Sequence, residues 1–354
     1  MPSSLKIATR IREGFSPKRF DTIVKISKSI AKCKPPEKTI ESFKFVHLND
    51  SIKYTIDFLG ELNPEYQYRV LNIMRDNLRA NYRSGQKVKR YKHLSLNNGV
   101  DLLFTDYGDR KKEGLTTYGE VGESYMSENT GELRIDDTRD INVSHSLVHE
   151  LAHKLSLHIP VNKQGERAFD EVPSIVSELL YLDYLESIGY DQDEIDFLRY
   201  ERYDYTIYPC MLFLVLDEII TINRHDIPIR EIIDSIMEKY PALDRISVEN
   251  AWKWLKDFYE EEKDFRNVLD ELKGASKYII GFGMSSYYKK DYYQKKEESK
   301  LFKLMHYLGD ELMTIDERRE RYEDLDLPFY REDISPILEA FEEEYLPKEN
   351  KYHK

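Results

Sequence analysis

The sequence predicts a mainly α-helical protein that also contains a small antiparallel β-sheet. Apolar residues recur at three- and four-residue spacing over long stretches, and only 15 glycines and 13 prolines interrupt the 354 residues. Residues 98–137 differ, because they contain short segments rich in Thr, Tyr and Val between Gly, Asp and Asn, such as "TTYGEVGESYM". We therefore expect helices on both sides of a meander of two or three strands.

Several segments carry the helical period. Residues 51–82 predict two amphipathic helices joined at Asn63-Pro64. Further helices are predicted, in chain order, over residues 174–190, 208–225 and 229–240.

The composition bounds the class of protein. The net charge is −13, with 66 acidic against 53 basic residues, which argues against a nucleic-acid partner. Two distant cysteines, Cys33 and Cys210, form no disulfide framework and indicate a reducing compartment. The N-terminus lacks the apolar region of a secretory signal, and the most apolar run, residues 210–222, is interrupted by Asp217 and Glu218 and is too short to span a bilayer. We expect a cytoplasmic protein without a membrane partner.

A metal-binding motif lies in the segment "VSHSLVHELAHKLSLHIP", residues 143–160. His149 and His153 are four residues apart, so on a helix both imidazoles lie on one face and can bind a single Zn²⁺ ion. Glu150 is turned by roughly 100° around the helix axis from His149, which places it beside the ion as a general base for water. The motif specifies only three residues, so among chains of this length roughly one in several tens contains it by chance. The apolar residues beside it nevertheless favour a buried helix that carries a metal site.

A catalytic zinc site needs a third protein ligand. A histidine six residues after His153 is absent, because Ile159 occupies that position. The following helix offers three carboxylates, those of Asp170, Glu171 and Glu178. The first two also suit a helix N-terminus, where acidic groups stabilise the helix dipole. Glu178 lies among apolar residues, where an acid usually has a partner.

These two segments together resemble the zinc peptidases of the thimet oligopeptidase and oligoendopeptidase F family. That family combines a His-Glu-x-x-His helix with a helix that carries Phe-x-Glu-x-Pro-Ser and a further Glu seven residues on, which "HELAH" and "FDEVPSIVSELL" match in order. The resemblance implies a zincin-like metallopeptidase with one Zn²⁺ ion and Glu171 as the third ligand. It also implies that Glu178, together with Asp170, supports the ligands from behind.

The family places a tyrosine in a Tyr-x-x-Gly element near its C-terminus, where the hydroxyl donates a hydrogen bond to the oxyanion. Here "SKYIIGFGMSSYY" supplies Tyr278 ahead of Gly281. The resemblance therefore implies Tyr278 as the oxyanion donor, with Tyr287 and Tyr288 as alternatives. A histidine that commonly precedes this tyrosine in the family has no counterpart between residues 258 and 277.

The resemblance also suggests a domain organisation. It covers about residues 47–295, whereas family members are much longer and carry an N-terminal helical lobe that roofs a deep channel. We expect a basic N-terminal arm and linker (residues 1–40), a zinc peptidase catalytic domain (41–313) and a charged helical tail (314–354) that packs on this domain or extends from it. Without most of the lobe, the cleft should be open enough for a peptide or an unfolded protein segment.

Two functions remain open at this stage. The first is a zinc-dependent metallo-endopeptidase, and the alternative is a catalytically weak or inactive peptidase scaffold that acts as a binding or regulatory protein. Loss of His149, Glu150, His153 or Glu171 would have marked an inactive relative. All four are present, which favours the enzyme.

Overall fold

The structure, a computed structural model, describes most of the helical regions and short parts of the strand region. The described residues are 3–35, 37–64, 91–95, 101–106, 125–126, 133–134, 136–137, 140–156, 169–224, 227–261, 265–308 and 323–346. The helices are α1 (Ser4–Gly14), α2 (Pro17–Lys32), α3 (Leu48–Leu62), α4 (Asn142–Ser156), α5 (Glu171–Ser187), α6 (Gln192–Ile222), α7 (Ile229–Lys239), α8 (Arg245–Glu261), α9 (Phe265–Lys295), α10 (Lys300–Leu308) and α11 (Ser335–Tyr345). The strands are β1 (Tyr91–Ser95), β2 (Asp101–Asp106), β3 (Tyr125–Met126), β4 (Leu133–Arg134) and β5 (Asp136–Asp137).

The predicted helices appear with shifted ends. The predictions at 174–190 and 229–240 correspond to α5 and α7, and the one at 208–225 is the second half of α6, which begins at Gln192. The first helix predicted within residues 51–82 is α3, and the second lies outside the described residues.

The strands correct the predicted fold class. β1 pairs antiparallel with β2, but β2 pairs in parallel with β5, where Thr105 lies beside Asp136. β3 and β4 form a separate two-stranded antiparallel ribbon. The predicted fold class, a mainly α protein with a small antiparallel sheet, is therefore wrong in its sheet, because the described strands form two separate sheets and one of them includes a parallel pair. The helical part of the prediction is compatible with the structure. Side-chain alternation is the same in both kinds of pairing, whereas the long connection from β2 to β5 permits a parallel crossover.

The described N-terminal helices pack on the folded body. Ser16 caps α2 by accepting a hydrogen bond from the backbone N–H of Arg19, and Pro17 occupies the first helical turn, where proline is favoured. The ring of Phe15 lies 6.1 Å from that of Phe20 and 5.8 Å from that of Phe213 in α6. Because α1 and α2 bury their apolar faces in the main hydrophobic core, residues 4–32 help to carry the scaffold.

Three long helices, α5, α6 and α9, pack on one another. α5 is buried along nearly its whole length and packs on both α4 and α9. α6 contains Pro209. By length and composition this helix could cross a membrane, but most of its apolar stretch is buried within the fold. A single helix of this kind, mostly buried, is weak evidence for a membrane span.

The described part of the C-terminal region packs on α9. The buried Tyr288 hydroxyl donates a hydrogen bond to the backbone carbonyl of Leu325, at 2.6 Å. The ring of Phe341 in α11 lies 5.1 Å from that of Phe282. Residues 325–341 therefore contribute to the same core as α9. The division of the chain into domains stays a prediction.

Candidate metal site

The packing of α4 against α5 places the residues of the candidate site. Leu147, Val148 and Leu151 are buried on the apolar side of α4, which contacts α5 and α3. The motif residues therefore occupy the part of α4 that lies against the first turns of α5. The helix period determines which face of α4 carries each side chain, whereas the contact with α5 determines which residues those side chains touch.

Three side chains converge at the start of α5. The Nε2 atoms of His149 and His153 are 3.0 Å apart, and Oε2 of Glu171 lies 3.5 Å from the first and 3.4 Å from the second. Bonds of about 2.0–2.1 Å to a tetrahedral ion would place neighbouring ligand atoms about 3.3 Å apart. These three residues could therefore hold a metal ion.

Both histidines are oriented by α5 through their second ring nitrogen. Nδ1 of His149 lies 2.7 Å from Oε1 of Glu178, and Nδ1 of His153 lies 2.9 Å from Oγ of Ser174. When each Nδ1–H donates to its partner, each Nε2 presents a lone pair to the space beside Glu171. Glu171, Ser174 and Glu178 share one face of α5 because their spacing is three and then four residues.

An unsatisfied acceptor supports the fit of a cation to this site. Oε2 of Glu171 is buried, and it accepts no hydrogen bond from the residues that the structure describes. Buried acceptors normally have a donor, so this atom, next to two nitrogen lone pairs, is suited to a positive ion. Two imidazoles with one carboxylate also match the ligand types that Zn²⁺ uses in peptidases.

The acids of the site are ionised despite their burial. Burial would raise the pKa of Glu171, but its interaction with His153 and the charge of His149 bring that pKa to about 2. Burial likewise opposes ionisation of Glu178, and the charges of Arg202 and His149 outweigh it and hold the pKa of Glu178 well below its usual range. Glu171 would therefore offer a carboxylate to a metal ion, and Glu178 presents one to His149.

Glu150 lies in a different environment from these two acids. It is buried on α4, and burial raises the pKa of its carboxyl group above the ordinary value, although His149 and His153 oppose this rise. A carboxylate with a raised pKa accepts a proton more readily at neutral pH than an exposed one does. The environment of Glu150 is therefore compatible with the role of a general base.

The start of α5 also meets α9, which carries the candidate tyrosine. The Asp170 carboxylate lies 3.5 Å from Nζ of Lys277 and makes no side-chain hydrogen bond that caps α5. Tyr278 follows Lys277 and is 39% exposed. The negative charge of Glu171 and, to a smaller extent, burial raise the pKa of Tyr278 to about 12. The hydroxyl therefore remains protonated at neutral pH. Tyr278 therefore lies within electrostatic reach of the site and keeps its proton to donate.

The two alternative tyrosines serve the scaffold. The Tyr287 hydroxyl donates a hydrogen bond to Asp326 at 2.5 Å, and the fully buried Tyr288 donates to the backbone of Leu325. These bonds attach residues 325–326 to α9. Both hydroxyls therefore bond residues 325–326 and not a candidate metal ligand in the described hydrogen bonds, and the choice of the oxyanion tyrosine stays a prediction.

The close packing of α9 on α5 accounts for the glycine at position 281, in the Tyr-x-x-Gly element. A Cβ atom there would lie 2.6 Å from Cδ1 of Ile175 and 3.1 Å from the backbone oxygen of Glu171. The glycine therefore permits α9 to approach the backbone of the third candidate ligand, one helical turn after Tyr278.

Three residues near the site were not predicted. Ser174 had a signal, because it follows Glu171 by three residues and so shares its helix face. Arg202 had none, because its contact with Glu178 joins α6 to α5. His145 lies one turn before His149, and burial lowers its pKa to about 4, so it is a neutral group behind the site.

No protein-family model matches the chain, and no curated protein matches it. One similar solved structure is that of a "putative peptidase from Chlamydophila abortus", with a TM-score of 0.45 and 14% sequence identity. The alignment covers 95% of this chain and 53% of that protein, so the chain spans about half of its length. A similarity at this level carries no argument about activity, and the oligopeptidase family stays a prediction.

Proposed function

We propose that this protein is a zinc-dependent metallo-endopeptidase. The observation that carries the proposal is the convergence of His149, His153 and Glu171, with each histidine oriented by a hydrogen bond at its other nitrogen. Three protein ligands leave a position for water, as in catalytic rather than structural zinc sites. When bound, the ion would polarise the scissile carbonyl and lower the pKa of a water molecule to about 7.

The proton transfers are assigned to Glu150. As a carboxylate it takes a proton from the attacking water, and it then passes that proton to the nitrogen of the leaving amine. The burial that raises its pKa brings the carboxyl group closer to the pKa suited to both transfers. Glu171 and Glu178, whose pKa values are lowered, are suited to stay ionised throughout.

Tyr278 is assigned to the oxyanion. Its hydroxyl is protonated and partly exposed, and it is influenced by the charge of Glu171. A donor at the developing negative charge contributes about 2.7–4 kcal/mol in the oxyanion holes where it has been measured. This role rests on the resemblance and on the position of Tyr278 beside α5.

The proposed substrate is a peptide or an unfolded protein segment. The side chains of His149, His153 and Glu171 are each 10–14% exposed, so the site can be approached from solvent. An acidic chain with net charge −13 is unsuited to nucleic acid. We assign the catalytic domain to residues 41–313 and expect the protein to act in the cytoplasm.

Metal analysis combined with one variant tests the proposal. Purified protein should contain one zinc ion per chain and cleave members of a peptide library, whereas Glu150→Gln should keep the zinc and lose about 10²–10⁴-fold in rate. Glu231→Gln, which removes an exposed carboxylate on α7, is the matched control and should cleave normally. If the wild type binds zinc but cleaves no peptide beyond those that Glu150→Gln also cleaves, the peptidase assignment fails. The binding or regulatory alternative is then favoured.

A further inference from the structure

We propose that Arg202 is a positioning residue of the metal site. It holds the carboxylate of Glu178, and Glu178 in turn fixes the ring of His149 so that Nε2 faces the other two candidate ligands, His153 and Glu171. Arg202 belongs to α6, whereas the three candidate ligands belong to α4 and α5. The inference rests on the metal site of the proposed function and does not depend on the reaction performed there.

A single oxygen atom of Glu178 carries both contacts. Arg202 donates a hydrogen bond through Nη2 to Oε1 of Glu178, and this same Oε1 lies 2.7 Å from Nδ1 of His149. The second oxygen, Oε2, is buried and accepts no hydrogen bond from the described residues. The orientation of the carboxylate is therefore set by one arginine and one histidine.

Burial makes the arginine necessary. The side chain of Glu178 is 2% exposed and that of Arg202 is 14% exposed, so water replaces neither partner easily. Removing one partner of a buried ion pair leaves an uncompensated charge, which is strongly unfavourable. Without Arg202, the carboxylate would be held only by His149 and would be free to turn, and the ring of His149 would lose its fixed acceptor.

The neighbouring Arg199 provides a matched control. It lies one turn before Arg202 on α6 and also pairs with acids of α5, at 2.9 Å from Asp183 and 3.0 Å from Glu186. Neither acid contacts a candidate metal ligand through a described hydrogen bond. Arg199 and Arg202 therefore both join α6 to α5 through ion pairs, but only the partner of Arg202 contacts His149.

The experiment compares zinc binding by full-length variants. Zinc affinity is measured by competition with a chromogenic chelator, and the visible spectrum of the Co²⁺-loaded protein reports the ligand geometry. Arg202→Gln should lose about 10–100-fold in zinc affinity, the range for residues that orient metal ligands, and should change the Co²⁺ spectrum. Arg202→Lys should recover part of the affinity, and Arg199→Gln should bind zinc like the wild type.

A double-mutant cycle shows whether Arg202 acts through Glu178. In a Glu178→Gln background, Arg202→Gln should have little further effect on zinc affinity, because the path is already broken. An equal loss in both backgrounds, an equal loss in Arg199→Gln, or wild-type affinity in Arg202→Gln would each overturn the inference. If Arg202→Gln does not fold, Arg202→Lys in the same cycle gives the answer.

The outcome for zinc is separable from the outcome for peptide cleavage. A wild type that binds zinc and cleaves no peptide refutes the proposed function and leaves the role of Arg202 to be decided by the titrations. A wild type that cleaves peptides, with Arg202→Gln binding zinc normally, refutes only the role of Arg202. A wild type without zinc affinity overturns both.

Discussion

Replacement of Gly281 by alanine tests the close approach of α9 to the metal site. The added Cβ would lie 2.6 Å from Cδ1 of Ile175 and 3.1 Å from the backbone oxygen of Glu171. Ile175 is fully buried, so its side chain has little room to move. We therefore expect Gly281→Ala to push α9 away from the first turn of α5.

The magnitude follows from two opposing effects. Alanine in place of glycine inside a helix stabilises it by about 0.8–1.0 kcal/mol, whereas overpacking a filled core costs about 1–3 kcal/mol. Gly274 lies in the same helix, and a Cβ there would meet nothing within 4 Å. Because the gain in helix propensity is common to both positions, Gly281→Ala should be less stable than Gly274→Ala by about 1–3 kcal/mol.

Urea unfolding and zinc titration of the same variants provide the assay. Gly281→Ala should also bind zinc more weakly, because the displaced backbone belongs to Glu171. Gly283→Ala separates stability from zinc affinity, since its Cβ would collide with Ile26 of α2, on a different helix from the candidate ligands. It should lower the free energy of unfolding and leave zinc affinity unchanged. If Gly281→Ala is as stable as Gly274→Ala, the packing argument is wrong.

Three further predictions concern individual side chains. Ser174→Ala removes the acceptor for one candidate ligand and should lower zinc affinity about tenfold, the lower end for such partners, as measured by chelator competition; unchanged affinity would contradict this. Tyr278→Phe should lower kcat by about 10²–10³-fold with zinc affinity retained, whereas Tyr287→Phe should chiefly reduce the free energy of unfolding; similar kinetics for both variants would exclude an oxyanion role. Burial raises the pKa of both Cys33 and Cys210 to about 12, so a thiol reagent should label them only after denaturation, and rapid labelling of native protein would show that they are accessible.

The two histidines of the candidate ligand set could be predicted from the sequence because their spacing is local, whereas Glu171 as the third ligand was implied by the family resemblance. His149 and His153 differ by one helical turn, and Glu171 and Glu178 differ by two turns on the next helix, so each pair shares a face wherever the helix packs. The structure brings His149, His153 and Glu171 together as a group that could hold a metal ion. The identity of the ion, the reaction and the roles of Glu150 and Tyr278 stay predictions.

The failures arose where a pattern does not specify its partner. Short segments rich in Thr, Tyr and Val in residues 98–137 indicated strands, but the parallel pairing of β2 with β5 depends on the path of the chain between them. Residues 1–40 were predicted to form a basic arm and linker; the apolar residues of α1 and α2 pack in the core, and the division into domains stays a prediction. A helix face shows that it needs burial, but not which helix buries it.

The sequence by itself therefore determined the helical character of the chain, the two helices that carry the candidate ligands and the residue types offered to a metal, because all three depend on spacing along one helix. Only the tertiary structure decided that Ser174 and Glu178 orient the two histidines, that Gly281 meets the backbone of Glu171 and that Arg202 reaches Glu178. These contacts join different helices, and their geometry is set by how the helices pack.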